Sequence, residues 1–469
     1  MKLSDLLTSV NIVYQGKDEE IDFITDDSRK CKPNSVFVCH DNAKQFVAQA
    51  ISNGAVVVVA SKKVCENCIV VSDTRKTYAM LCREYFARPD EKLKIVAVTG
   101  TNGKTSVTTM LNYILEMNGK KSGLIGTVVN KIDDEQKSQM TTPDCFELYR
   151  MFKKLAEREA EYCVIEASSQ GLAQQRLYGL TFEIGVFTNL AEDHLDYHKT
   201  FENYKNAKLS LFERCKVTVI NYDDNYANEF VDKSYGKVIT FSTKSDEADF
   251  TAKNIRYLQS STTYALVANS LIHSFRLSLQ GDFWVKNSMA AIICALQLGV
   301  SLDGCSCALK SFAGVKGRME LVETDKPFRI IIDYAHTADG LRTVLMSLKR
   351  FCSGRLIAVF GCGGDREKQK RSEMGMTVAT LADIAVVTTD NPRTEPPQKI
   401  IDDILEGMKK SRIPVYIKPD RREAIEFALN LGRKDDIILL AGKGHETTQI
   451  IGNENYPFDE RQIVAELIS

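Results

Sequence analysis

Gly100-Thr101-Asn102-Gly103-Lys104-Thr105 brings glycines, an ammonium and a hydroxyl together in one short segment. The apolar run 93–98 precedes it and an apolar stripe at Val107, Met110, Leu111 and Ile114 follows, so the pattern reads as strand, glycine loop and helix. Such glycines let backbone N–H groups turn toward phosphate oxygens. The helix N-terminus adds partial positive charge, Lys104 adds a full one, and the Thr105 hydroxyl suits magnesium. This is the chemistry of a nucleoside triphosphate site. The glycines stand two residues closer together than in the common Walker spacing, which argues against an ordinary kinase or GTPase.

That loop needs a sheet behind it. Apolar runs recur at 162–165 before Glu166, at 184–188 and at 217–220, with a helical stripe at Leu148, Met151, Phe152 and Leu155 among them. This βα alternation predicts a parallel sheet. A later block has runs at 329–332, 356–360, 384–388, 415–417 and 437–440, and predicts another α/β unit. At the start of the chain, runs at 35–38, 55–60 and 68–71 alternate with polar helices until Ala87-Arg88-Pro89-Asp90 breaks the pattern. The expected organisation is three α/β domains, 1–90, 91–323 and 324–469, which suits a length of 469 residues.

Lys plus Arg (61) nearly balances Asp plus Glu (62), so no global field attracts nucleic acid or an anionic membrane, and any anion site is local. Apolar stretches such as 55–60 are far too short to span a bilayer, and Met1-Lys2-Leu3-Ser4-Asp5 lacks a signal-peptide core. The expectation is a cytoplasmic protein with no membrane insertion. Thirteen cysteines without framework spacing read as reduced thiols. Cys65 and Cys68 form one CxxC, but no second pair is spaced to complete a zinc site.

Thr141-Thr142-Pro143, Glu166-Ala167-Ser168-Ser169, Thr188-Asn189-Leu190, Asp193-His194-Leu195-Asp196, Ala207-Lys208 and Asp333-Tyr334-Ala335-His336 follow in that order. Together with the glycine loop they resemble a Mur ligase. Gly361-Cys362-Gly363-Gly364-Asp365-Arg366, Asp390-Asn391-Pro392-Arg393 and Ala441-Gly442-Lys443-Gly444-His445-Glu446 narrow the resemblance to the MurE branch, the UDP-N-acetylmuramoyl-tripeptide synthetases. It covers essentially the whole chain. It implies three domains: an N-terminal one for the UDP substrate, a central P-loop ATPase-like parallel sheet for ATP, and a C-terminal Rossmann-like domain for the amino acid. The implied reaction adds meso-diaminopimelate to the γ-carboxylate of UDP-N-acetylmuramoyl-L-alanyl-D-glutamate in peptidoglycan biosynthesis. A carboxylate is a poor acyl donor because oxide would have to leave, so ATP first converts it to an acyl phosphate that an amine displaces. Such transfer demands positioning and charge neutralisation above all.

The same resemblance implies roles for particular residues. Gly100, Thr101, Asn102, Gly103, Lys104 and Thr105 bind ATP, with Asn287 reading adenine, Arg318 contacting the nucleotide and Asp333 reaching it from the third domain. Lys104, Glu166, His194 and Lys208 are catalytic. Thr105, Glu166, His194 and Lys208 hold magnesium, Lys208 as N6-carboxylysine because an ammonium would repel the ion. Thr141, Thr142, Ser168, Gln174 and Arg176 contact the UDP-linked dipeptide, and Ser28 in Asp27-Ser28-Arg29 reaches its uridine half. Arg366, Asp390, Asn391, Pro392, Arg393, Gly442 and Glu446 recognise the amino acid. Meso-diaminopimelate differs from lysine by a distal carboxylate, which a guanidinium grips bidentately. Lysine-adding relatives lack an Arg at the position of Arg393.

Several positions depart from the family pattern. Gln170 stands where His usually follows the paired serines, Trp284 replaces an Asn, Lys316 and Ala338 replace prolines, and the segment from His40 to Phe46 is shorter than usual. These departures keep two rivals in view: a divergent ligase using another carboxylate or amino acid, and a nucleotide-binding scaffold without turnover. Folylpolyglutamate synthetase shares the central architecture, but Asp27-Ser28-Arg29 and Asp390 to Arg393 disfavour it. The expected partners are small molecules only, with no nucleic acid and a monomeric chain. Trp284 lies three residues before Asn287, so its emission is expected to respond to ATP.

Overall fold

The computed structural model describes residues 1–468 except 15, 133, 139, 259, 260 and 270. Its first sheet is parallel and runs in the order Phe23–Thr25, Ser35–Cys39, Ala55–Ala60, Cys68–Val70. These strands are almost wholly apolar because both faces are covered. Val36 and Val38 join Leu81 and Cys82 of the helix Thr74–Tyr85 in one core, while Phe37 and Val58 join Val47 and Ala50 in another.

The second sheet has eleven strands. Its parallel heart is Cys215–Asn221, Phe182–Phe187, Lys94–Thr99, Tyr162–Glu166 and Ser122–Ile125, in that spatial order. The helices Lys104–Met117 and Asp282–Gln297 pack together on one face, where Met110, Ile114, Trp284 and Met289 meet Val96 and Val98. On the other face the helix Cys145–Glu157 brings Leu148, Phe152 and Leu155 into the core that also holds Leu81 of the first unit. One edge continues through Lys237–Ser242 and Phe250–Leu258 into the antiparallel strands Ser261–Ala268 and Leu271–Leu277. No such wing was expected from the βα alternation; Tyr264, Leu266, Phe275 and Leu277 alternate inward as in a half-buried antiparallel sheet.

The third sheet runs Glu320–Val322, Arg329–Asp333, Ile437–Ala441, Leu356–Phe360, Ile384–Val387, Val415–Ile417. Only the first pair is antiparallel. Ile437–Ala441, last in sequence among these strands, fills the slot between Arg329–Asp333 and Leu356–Phe360, which leaves a crevice at their carboxyl ends. Glu320–Val322 lies before the expected boundary at 323 yet pairs with Arg329–Asp333, so sheet membership favours a boundary ahead of residue 320. Among the described residues, no helix is long and apolar enough to cross a membrane, and all thirteen cysteines are free.

Candidate active site

The strand Lys94–Thr99 delivers the glycine loop, and the helix begins at Lys104. Gly100 has φ +147°, and a Cβ there would lie 1.9 Å from Thr188 Oγ1, so the position admits only glycine. Thr188 donates to Asn102 O at 2.6 Å, while Asn189 accepts the Asn102 N–H at 2.9 Å and donates its own amide to Asn102 O at 3.0 Å. The end of the neighbouring strand therefore sets the loop's shape. Lys104 Nζ donates to Gly100 O and Thr101 O, each at 2.8 Å, over the place phosphates would occupy. Burial lowers its pKa.

Glu166 ends its strand 1% exposed. Its Oε2 accepts from Thr105 Oγ1 at 3.0 Å and Thr127 Oγ1 at 2.8 Å, and its Oε1 accepts the Thr127 N–H at 2.7 Å. Arg318 also reaches Thr105 Oγ1, at 3.4 Å. A carboxylate and a hydroxyl beside a phosphate loop are the hard oxygen donors that suit magnesium. Among the described residues no group of three His, Cys, Asp or Glu side chains is placed to hold a metal ion.

His194 and Lys208 line the same cavity, about 460 Å³ in volume. Burial lowers the His194 pKa to about 4, although 45% side-chain exposure lets solvent soften the effect. Lys208 is 1% exposed; its Nζ donates to Gly100 O at 2.7 Å and lies 4.6 Å from the Tyr204 ring centre. Burial first, and then the Lys104 charge, hold its pKa well below the ordinary lysine value. Two lysines thus share one carbonyl; burial disfavours the charged form of both, and more strongly at Lys208.

A second cavity of about 340 Å³ adjoins the first at Asn102, Gly103 and Arg318 and holds Asn287 and Asp333. Asp333 accepts the Met319 and Ala335 N–H groups, both at 2.7 Å, and burial raises its pKa. Asn102 Nδ2 donates to Asp339 Oδ2 at 3.0 Å, tying the glycine loop to the helix Ala338–Lys349. Trp284 lines neither cavity. It is fully buried against Phe283 and Phe312, so the expected emission response to ATP loses its structural basis.

Thr141, Thr142, Ser168 and Arg176 line the first cavity as well. Thr142 Oγ1 donates to Glu166 O at 2.7 Å, and Arg176 donates to Thr142 O at 2.6 Å. Gln174 stays behind the wall and accepts from Arg176 Nε and Nη2 at 3.0 and 2.6 Å, which orients the guanidinium. Ser28 is 5% exposed and lines none of these cavities, and its hydroxyl donates inward to Gln49 Oε1 at 2.7 Å. A larger open hollow of about 940 Å³ beside the edge strand Cys68–Val70 contains none of the expected residues.

A third cavity, about 190 Å³, gathers Arg366, Asp390, Asn391, Arg393, Gly442 and Glu446. Arg366 follows the strand Leu356–Phe360 and Arg393 follows its parallel neighbour Ile384–Val387, so adjacent strand ends bring the two guanidiniums together. Pro392 is buried and off the wall. Gly442 has φ +113°, and a Cβ would sit 2.4 Å from Asp390 Oδ2. Arg393 adopts φ +51°, costly for a side-chain-bearing residue, and is held there by its N–H to Ile450 O at 3.1 Å and its carbonyl to Gly452 N–H at 2.8 Å. Burial and then Arg366 lower the Arg393 pKa. Asp193, His194, Tyr334 and His336 wall both this cavity and the first. Thr127, Tyr334, His336, Lys370 and His445 also line these spaces without having been singled out from the sequence. Of these, Tyr334, His336 and His445 carried a signal, inside motifs already quoted.

The phosphate loop, the crevice of the third sheet and the linked cavities define a class of nucleotide-dependent ligase. Residues 98–295 match the family description "Mur ligase middle domain", and residues 317–444 match "Mur ligase, glutamate ligase domain". The chain belongs to the Mur ligase family. It is 42% identical, over 100% of its length and 99% of the relative's, to UDP-N-acetylmuramoyl-L-alanyl-D-glutamate--2,6-diaminopimelate ligase of Caldanaerobacter subterraneus. It is 40% identical, with the same coverage, to such a ligase, number 1, of Clostridium acetobutylicum. A solved structure bearing that ligase name superposes with a TM-score of 0.72 at 33% identity, covering 100% of this chain and 98% of the other.

Proposed function

We propose that this chain is an ATP-dependent ligase that joins meso-diaminopimelate to the D-glutamate γ-carboxylate of UDP-N-acetylmuramoyl-L-alanyl-D-glutamate in peptidoglycan biosynthesis. One observation carries the reading: Asp193, His194, Tyr334 and His336 wall both the phosphate cavity and the arginine-bearing cavity. An acyl phosphate made on one side is then within reach of an amine held on the other. The γ-carboxylate oxygen attacks the terminal phosphorus and ADP leaves; the amine attacks the acyl carbon, loses a proton, and phosphate leaves. Lys104 neutralises the transferring phosphoryl oxygens, and Arg318 steadies the nucleotide between the units. Asn287 reads the adenine and Asp333 closes the nucleotide cleft.

Thr105 and Glu166 are suited to one magnesium ion, and His194 with a carboxylated Lys208 to a second. Bound magnesium supplies charge neutralisation to the phosphates. Carboxylation of Lys208 needs a neutral amine whose nitrogen attacks the carbon of carbon dioxide and then releases one proton to solvent, and burial beside Lys104 favours that neutral form. The resulting carbamate is an anion next to a cation. Thr141, Thr142, Ser168 and Arg176, the last oriented by Gln174, are the proposed dipeptide contacts. Residues 1–90 receive the UDP end, the central unit ATP, and the C-terminal unit the amino acid through Arg366, Asp390, Asn391, Arg393, Gly442 and Glu446, with Pro392 shaping the loop. We read the chain as a cytoplasmic monomer.

The test is phosphate release from ATP, which is expected to require both UDP-muramoyl dipeptide and diaminopimelate. Release with ATP alone, or ATP binding without release, would reject the ligase in favour of a hydrolase or a scaffold. Lys104→Ala is expected to retain a cooperative melt, lose product formation, and lose the rise in Tm that saturating ATP gives the parent.

A further inference from the structure

Lys443 has a fully buried side chain and lies behind the wall of the arginine-bearing cavity. Its Nζ donates to Asn391 Oδ1 at 3.1 Å and to Glu446 Oε2 at 3.0 Å, and the Phe458 ring centre lies 5.8 Å away. Asn391 Oδ1 also accepts the Ile450 N–H at 3.0 Å, and Asn391 Nδ2 donates to Glu446 Oε2 at 2.9 Å. Both acceptor sites of the amide oxygen are therefore used, and the amide cannot flip without placing its NH2 against an ammonium. Glu446 Oε2 takes two donors from behind. No side-chain hydrogen bond among the described residues engages Oε1.

Burying an ammonium is costly unless it is paired, and this one is held by two polar partners, Asn391 and Glu446, with the Phe458 ring beside it. We propose that Lys443 is a positioning residue: it fixes Asn391 and Glu446 so that the Glu446 carboxylate accepts the distal ammonium of the incoming diamino acid, beside the guanidinium of Arg393 that takes the distal carboxylate. The inference rests on the ligase reading above. It divides the distal carbon of the amino acid between two devices, an anion preset by Lys443 for its amine and a cation for its acid.

Diaminopimelate and lysine both carry the distal amine, whereas 2-aminopimelate keeps the distal carboxylate and lacks the amine. Steady-state kinetics on the full chain with these amino acids separate the devices. The parent's diaminopimelate-dependent phosphate release checks the ligase reading first, independently of any variant. For Lys443→Met, the KM for diaminopimelate is expected to rise about tenfold or more, with kcat and the KM for ATP within about threefold of the parent. With 2-aminopimelate, parent and variant are expected to perform alike. In the double variant with Glu446→Gln, the losses are expected to be far less than additive, because the lysine acts through the carboxylate. An unchanged KM for diaminopimelate, an equal loss with 2-aminopimelate, or additive losses would overturn the proposal. If Lys443→Met has no cooperative melt, Lys443→Arg keeps the charge while displacing it. It is then expected to raise the diaminopimelate KM but not that of 2-aminopimelate, and equal effects on both overturn the inference.

Discussion

Lys208 shows how one side chain acquires a chemistry that its type alone does not possess. A surface lysine is protonated and inert toward carbon dioxide, but this one is buried, shares the Gly100 carbonyl with Lys104, and has its charged form disfavoured by both. Lys208→Ala is expected to leave almost no ligase activity and to recover part of it in millimolar formate or acetate, which supply an anion to the vacated space. Full activity without rescue would remove the carbamate from the mechanism. Arg393 tests the amino-acid assignment. Arg393→Ala is expected to lower kcat/KM for diaminopimelate at least about tenfold, the cost of one charge-assisted hydrogen bond, while leaving ATP saturation unchanged. Lysine is expected to be a poor substrate for the parent because it leaves a guanidinium without a counter-ion. Kinetics with both amino acids decide the matter: a parent that prefers lysine contradicts the assignment.

At the scale of elements, the two arginine loops are joined from beneath by Arg371 of the helix Gln369–Leu381. Its guanidinium is fully buried and donates to Glu395 at 2.7 and 3.0 Å, to Asp403 at 2.8 Å and to Gly363 O at 3.3 Å. Glu395 in turn accepts the Asp365 N–H at 2.6 Å, and Asp365 accepts from the Thr394 hydroxyl at 2.8 Å. Each strand end is therefore fastened to the other through one cation. Arg371→Met removes the cation from two partly solvated carboxylates and from Gly363 O, and an expected loss of about 1–3 kcal/mol should appear as a lower denaturation midpoint. A midpoint equal to the parent's would show that the network contributes no net stability.

For the whole molecule, acid should be the sensitive direction. The His194 pKa lies near 4 and that of His445 near 3, both depressed first by burial, against an ordinary value of 6.5. A depressed histidine binds fewer protons folded than unfolded, so its stabilising contribution is complete above about pH 6.5 and is lost as pH falls toward the folded values. Asp223 and Glu395, both held near 2, add a second loss: their stabilisation is present above the ordinary carboxylate range and is lost progressively as pH falls from there through about 2. Tm is expected to decline from neutrality toward pH 4 and more steeply below. A Tm independent of pH between 7 and 4 would contradict the lowered pKa values of these histidines. The contacts Asn102 to Asp339 and Lys137 to Thr447 join the central and third units, so ligands bound in the cavities there should stabilise both together.

The phosphate loop, the parallel strands and the paired arginines were legible in the sequence because each depends on local order: apolar runs, glycines with required conformations, and polar residues at strand ends. The sheet order was not. The insertion of Ile437–Ala441 between Arg329–Asp333 and Leu356–Phe360 brings Gly442 and Glu446 beside Asp390, and it depends on pairing between residues far apart in the chain. Side-chain direction was equally illegible: Ser28 and Trp284 have the expected neighbours in sequence, but the hydroxyl of one turns to Gln49 and the ring of the other enters the core. Lys443 lay in plain view within a recognised motif, yet its type and spacing could not show that the fold buries it completely or that its charge would meet Asn391 and Glu446. Local sequence determined which chemical groups this protein owns; long-range packing decided which of them share a dry space, and so which can act on one another.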